Sequence, residues 1–266
     1  ALITCDERGD IVSKISYQEL ERKIEETARY LQSIGLVSSD RVALSLSNSA
    51  EFLIVSWAAW SVGIVTVPLD VKRDTDELSL YKQERSNAKK VLTGEDIRAM
   101  SVGRTGQLIE WKNELSHEAL ILFTSGTTAY PKGAMLTLAN LVVNAESIKE
   151  WLHITHEDRF SVQLPLHHIN STTFCLATLL AGGSIVIPPR YSNSHFFEQL
   201  ARTETTYTSI VQSIVFDQLR RKDAYTAVKN DLKLSRIQIG SAPVVAQTVQ
   251  EFIKELLVPF LRIESI

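Results

Sequence analysis

Residues 123–133 read FTSGTTAYPKG and extend the apolar run Ala119–Phe123. Thr124, Ser125, Gly126, Thr127 and Thr128 stand in succession, and Pro131, Lys132 and Gly133 follow. Residues this small leave backbone amides accessible, and the glycines permit close approach and positive φ. The hydroxyls donate hydrogen bonds, successive amides can line a concave anion nest, and Lys132 adds a compact charge behind a stiffening proline. A buried strand running into such a turn suits a polyphosphate. A Walker loop requires Gly before and Ser or Thr after its lysine, whereas Pro131 and Gly133 flank Lys132. By composition alone a Ser/Thr/Gly-rich surface turn is the alternative. The order of the residues after a buried strand weighs against it.

Outward from that loop, helix and strand alternate. Ser16-Tyr-Gln-Glu19 has the form of a capping box, and Leu20, Ile24, Ala28, Leu31 and Ile34 share one helical face up to Gly35. The spacing predicts strands over 41–47, 64–67, 90–93, 119–123, 160–164, 184–187, 206–211, 236–239 and 260–263. Helices are expected over 49–62, 75–86, 137–151, 171–181, 194–203, 213–222 and 244–257. The loop is expected to lead from its strand into helix 137–151, and residues 94–118 are the least regular part. Strands separated by helices mean βαβ units, so the expected fold class is α/β with mostly parallel sheets.

Composition narrows the function classes. The 266 residues, 44% hydrophobic and 22% charged, suffice for one large or two modest folded domains. A net charge of −3 gives no reason to expect a nucleic acid or an anionic membrane as partner. Two cysteines without metal-type spacing, Cys5 and Cys175, point to a reducing, cytoplasmic setting. The first residues lack the basic and apolar regions of a signal peptide. Phe52–Leu69 and Ile169–Pro189 are uncharged and approach bilayer length. Each contains glycine and then a β-branched run, so a helix followed by a buried strand is expected and no membrane span. His153-x-x-His156 has ligand spacing, but no Cys, Asp or third His is placed with it. His167-His168 after a strand reads, alone, as a structural hydrogen-bonding pair.

FTSGTTAYPKGAML resembles the phosphate-binding signature of the adenylate-forming superfamily, which includes acyl- and aryl-CoA synthetases, luciferases and peptide-synthetase adenylation domains. Ala129 departs from it, standing where glycine is usual. GIVTVPLD (63–70), LPLHHINSTT (164–173), LLAGGSIVI (179–187) and IGSAPV (239–244) resemble further segments of the same family in the same order, so the likeness runs through essentially the whole chain.

The resemblance implies two stacked βαβ subdomains, one over 48–155 and one over 1–47 plus 156–266, as in a truncated N-terminal domain of such an enzyme. It implies that Thr124, Ser125, Gly126, Thr127, Thr128, Lys132 and Gly133 hold the phosphates of ATP with Mg²⁺, Thr128 touching the metal. Gly240, Ser241, Ala242 and Pro243 would pack on adenine, and Lys132 and His168 would be catalytic, His168 beside the reacting carboxylate. The implied reaction joins a carboxylic acid to AMP with loss of pyrophosphate, then passes the acyl group to a thiol. Coenzyme A is the expected acceptor, with an acyl carrier protein as alternative. Amino-acid-activating members carry an Asp where Leu166–Ile169 stand, so a fatty or aryl acid is favoured. Phe174, Ile210, Val211, Ile214 and Val215 could line its pocket or be core, and Gln212 departs from the family's usual Val-Pro. The family's Tyr-Gly-x-Thr-Glu run, ribose-binding Asp, hinge and distal lysine would follow Ile266, so these residues alone are expected to be inactive. A naturally short, non-catalytic nucleotide-binding module is the remaining alternative.

Overall fold

The computed structural model describes residues 1–100, 114–124, 130–240, 243–256 and 262–265. Strands β1 (Leu2–Cys5) and β2 (Ile11–Ile15) open the chain, before α1 (Tyr17–Ser33), β3 (Arg41–Ser45), α2 (Ala50–Ser61) and β4 (Val65–Pro68). Then come α3 (Asp76–Ser86), β5 (Ala88–Thr93), α4 (Gly94–Met100), β6 (Glu118–Thr124), β7 (Lys132–Thr137) and α5 (Leu138–Trp151). The remainder reads β8 (Arg159–Ser161), α6 (Ile169–Leu180), β9 (Ser184–Ile187), α7 (Phe196–Arg202), β10 (Tyr207–Ile210) and α8 (Gln212–Leu219). Helix α9 (Lys222–Val228), β11 (Arg236–Ile239), α10 (Ala246–Glu255) and β12 (Arg262–Ser265) complete it.

The strands make two sheets, and the expected α/β class with mostly parallel pairing holds. One sheet runs β5-β3-β4-β6-β7, parallel except for the β6–β7 hairpin. The other runs β12-β11-β10-β8-β9-β1-β2, parallel except for the β1–β2 hairpin. The chain divides into two compact units, residues 16–144 and residues 1–15 with 145–266. This corrects the expected split. Residues 16–47 belong with the first unit, because β3 lies between β4 and β5 and α1 packs on α2.

Helix α2 is buried nearly all round, from Phe52 through Trp60, and Gly63 turns the chain with φ +73° into β4. Trp60 Nε1 donates to Thr66 Oγ1 at 2.9 Å, tying the helix to the strand it feeds. The uncharged run Phe52–Leu69 is therefore a core helix and a core strand, and no described helix is long and apolar enough to cross a membrane. In the other unit Phe160, Phe174 and Tyr207 pack ring on ring, and the Tyr207 hydroxyl bonds Thr178 Oγ1 at 2.6 Å.

The capping box forms as read. Ser16 Oγ accepts from Glu19 N at 3.1 Å, and Glu19 Oε2 accepts from Ser16 N at 2.9 Å. Ser16→Ala is expected to lower unfolding free energy by about 1 kcal/mol in urea titration. The Ser16 amide holds the Glu19 carboxyl below the ordinary glutamate value. A depressed folded pKa adds stability above the unfolded value and loses it as pH falls through the folded one. The stability that the Glu19 carboxylate adds is therefore lost on acidification below about pH 4.

Candidate functional site

In unit 16–144 the segment after the buried strand is a hairpin, not a strand-to-helix turn. Strand β6 pairs antiparallel with β7 in the register Thr124↔Lys132, Phe123↔Gly133, Leu122↔Ala134 and Ile121↔Met135. Thr124 sits at the carboxyl end of β6, where ligands of parallel α/β sheets lie, and its Oγ1 donates to the Lys132 carbonyl at 3.4 Å. Lys132 opens β7, is exposed, and has no ion pair among the described residues. Ser125, Gly126, Thr127 and Thr128 lie outside the described residues.

Gly133 has a different reason from the one expected. It is extended within β7 and does not take positive φ. A Cβ there would stand 3.0 Å from Ile121 Cγ2 and 3.4 Å from two Phe123 ring atoms, so glycine lets the facing strand's side chains cross over it.

Sequence reading missed Tyr81 on α3. Its hydroxyl donates to the Pro131 carbonyl at 3.3 Å, and its ring lies 4.8 Å from Tyr130 and 6.4 Å from Phe123, centroid to centroid. The return leg of the hairpin is thereby fastened to a helical residue 50 positions earlier. In the sequence only a tyrosine on a mixed charged and apolar helix marked it.

In the other unit, the expected residues gather at the carboxyl edge of three neighbouring parallel strands. His168 follows β8 as the N-cap of α6, exposed, with backbone φ −100° and ψ 145° and no side-chain capping bond. Its ring stands 4.4 Å from that of His167, and its amide donates to the Pro165 carbonyl at 3.1 Å. Ser171 and Thr172 hydroxyls donate to the carbonyls of Leu164 and Leu166, both at 3.0 Å, which fixes the turn bearing the two histidines.

Gly240, directly after β11, is buried, and its amide donates to the Ile210 carbonyl of β10 at 3.2 Å. Pro243 is exposed and lies before α10, which begins at Ala246, two residues after the expected start at 244. Gln212 Oε1 accepts the Val245 amide at 3.1 Å and so ties the start of α8 to that segment. Ser241 and Ala242 lie outside the described residues.

The acyl-pocket candidates resolve toward core. Phe174, Ile210, Ile214 and Val215 are buried, the last three in one cluster with Ile239 and Phe252, and Val211 packs against it. Burial pushes both cysteine thiols up, Cys5 to about 12 with Asp6 adding to it, so neither offers a thiolate at neutral pH.

A family model described as AMP-binding enzyme matches residues 3–116 and 76–262. A 2-succinylbenzoate–CoA ligase from Bacillus licheniformis is 30% identical over 218 residues, which are 76% of this chain and 45% of that protein. The O-succinylbenzoate coenzyme A synthetase MenE from Bacillus subtilis, solved with AMP, superposes with TM-score 0.81 at 23% identity over 96% of this chain and 54% of its own. An ATP-bound RpMatB–BxBclM chimera gives TM-score 0.82 at 25% identity over 99% of this chain and 56% of its own. The chain spans about half the length of the curated relatives it matches.

Proposed function

We propose, from the premise that the chain belongs to the AMP-binding enzyme family, that the β6–β7 hairpin holds the phosphate tail of ATP. The whole protein, on this reading, activates a carboxylic acid as its acyl-adenylate and passes the acyl group to a thiol. The observation that carries it is the placement of Lys132, across from Thr124 at the carboxyl end of β6, exposed and with no ion pair among the described residues. An ammonium beside hydroxyls is a donor set for phosphate oxygens, and charge-assisted bonds of this kind are the strong ones.

Two anions must meet, so the protein's work is neutralisation and in-line positioning. Thr124, Ser125, Gly126, Thr127 and Thr128 would line the phosphates with hydroxyls and amides, and Lys132 would supply the positive charge. On this reading Thr128 would hold a phosphate-bound Mg²⁺, which would further neutralise the phosphates. Gly240, Ser241, Ala242 and Pro243 would lie against adenine, with Gly240 held on β10. His168 would stand beside the substrate carboxylate, where an imidazole is compatible in either protonation state.

One carboxylate oxygen bonds to the α-phosphorus as the bond to pyrophosphate breaks. The acceptor's sulfur then bonds to the acyl carbon, and AMP leaves with the electron pair. Coenzyme A is the proposed acceptor, because the matched relatives are named CoA ligases. An aryl acid is proposed over a fatty acid because those names specify 2-succinylbenzoate, and Leu166–Ile169 hold no carboxylate for a substrate ammonium.

Calorimetry of the chain with MgATP tests the reading. Lys132→Ala is expected to weaken binding by about tenfold or more, the loss of one charge-assisted contact. Lys132→Arg should recover part of it, and the exposed position should leave thermal unfolding unchanged. Equal affinity in Lys132→Ala would sink the assignment. Pyrophosphate exchange by the whole protein then ranks 2-succinylbenzoate, palmitate and amino acids, and exchange driven by an α-amino acid overturns the acid assignment.

A further inference from the structure

We propose that the cleft beneath the carboxyl-terminal half of α3, within the unit of residues 16–144, binds a small anion with a flat apolar body. The cleft holds about 720 Å³, within the range of small-molecule sites. Its floor is apolar: Ile121, Phe123 and Met135 lie on one face of the β6–β7 hairpin, and Met135 is 53% exposed on a strand. One wall is aromatic, where Tyr81 and Tyr130 meet at 4.8 Å with planes 33° apart, leaving Tyr130 half exposed.

The rim is cationic. Arg41, Arg85 and Lys132 line the cleft, and among the described residues no carboxylate does. Arg41 is held in place, donating to the Ser86 carbonyl at 3.0 Å and reaching Glu118 at 3.4 Å. Arg85 is exposed and has no ion pair among the described residues. The next basic side chain on α3, Lys82, is buried on Asp74 at 2.6 Å and adds nothing to the rim.

These features select together. A neutral aromatic molecule would cover the floor and leave the cations facing one another across it. A bare anion would satisfy the cations and leave Met135 and the tyrosine rings wet. A planar body stacked on Tyr130, carrying one carboxylate or phosphate toward Arg85 and Arg41, satisfies both demands. The inference stands on the cleft's own lining and does not depend on the nucleotide reading.

The test is titration of the whole chain with 2-naphthoate, 2-naphthyl phosphate and neutral 2-naphthalenemethanol, followed by calorimetry. At least one anion is expected to bind, and the neutral analogue about tenfold more weakly or not at all. The tighter of the two anions identifies carboxylate or phosphate as the natural group. Arg85→Glu should cost about tenfold for that anion with little change in thermal midpoint. Met135→Glu, at an exposed floor position, should do the same and serves if the first variant folds poorly. Binding of neither anion, equal binding of the alcohol, or full affinity in both variants overturns the proposal. It also falls if saturating ATP displaces the anion while Arg85→Glu weakens ATP to the same degree, because the cleft would then be part of the nucleotide site.

Discussion

Arg236→Ala is expected to lower the unfolding free energy by about 3–5 kcal/mol, measured by urea titration. Arg236 opens β11, and its guanidinium donates to Asp158 and to the Leu152 carbonyl, reaches the His153 carbonyl at 3.3 Å and lies 5.2 Å from the Tyr207 ring centre. Asp158 also accepts from the Thr155 amide at 2.8 Å and the Thr206 hydroxyl at 2.7 Å. Its side chain is 9% exposed and that of Arg236 16%. The cluster binds the end of α5 to the amino ends of β8, β10 and β11, the edge opposite the candidate site. Truncating the arginine leaves a buried carboxylate without its cation and a carbonyl without its donor, so the loss is far larger than for a surface pair. Replacing both partners, as in Asp158→Asn with Arg236→Met, should cost less than the sum of the single changes. A loss under about 1 kcal/mol for Arg236→Ala would mean the pair is solvated like a surface one.

Gly9→Ala should cost about 2–4 kcal/mol, for two reasons that add. Gly9 turns the chain between β1 and β2 with φ +97°, which an L-residue adopts only under strain. A Cβ would also lie 2.8 Å from Gln199 Cα and 3.0 Å from its carbonyl oxygen. Both are backbone atoms of α7, where Gln199 and Leu200 are fully buried, so nothing flexible can move aside. Gly94→Ala is the control: its nearest neighbour would be the tip of Arg98 at 3.7 Å, and it begins a helix. Thermal melts should separate the two variants clearly, and a Gly9→Ala chain as stable as the parent refutes the packing argument.

The alternation of helix and strand was legible because β-branched runs such as Ile64–Val67 and Ser184–Ile187, free of charged residues, fill buried parallel strands. Strand β7 was not. Lys132–Thr137 reads KGAMLT, whose Ala, Met and Leu are good helix formers. Its exposed side chains show no buried alternation, and pairing with β6 overrides propensity there. The β1–β2 hairpin was missed for a similar reason: β2 is exposed along most of its length, so periodicity carries no signal. Sheet order is a matter of spatial neighbours, which is why 16–47 were grouped with the wrong unit. At the candidate site, Thr124 and Lys132 could be proposed from local order and His168 and Gly240 only through the family resemblance, whereas Tyr81 acts through a contact that spacing does not encode.

The hairpin's two legs differ in footing. Strand β6 is wedged between β4 and β7, while β7 is the last strand of its sheet among the described residues. Lys132 thus rides on the outer rail, tethered through the phenol at Pro131, and Thr124 on the inner one. A hairpin built this way stands on unequal supports, one leg paired along both edges and the other, among the described residues, along one.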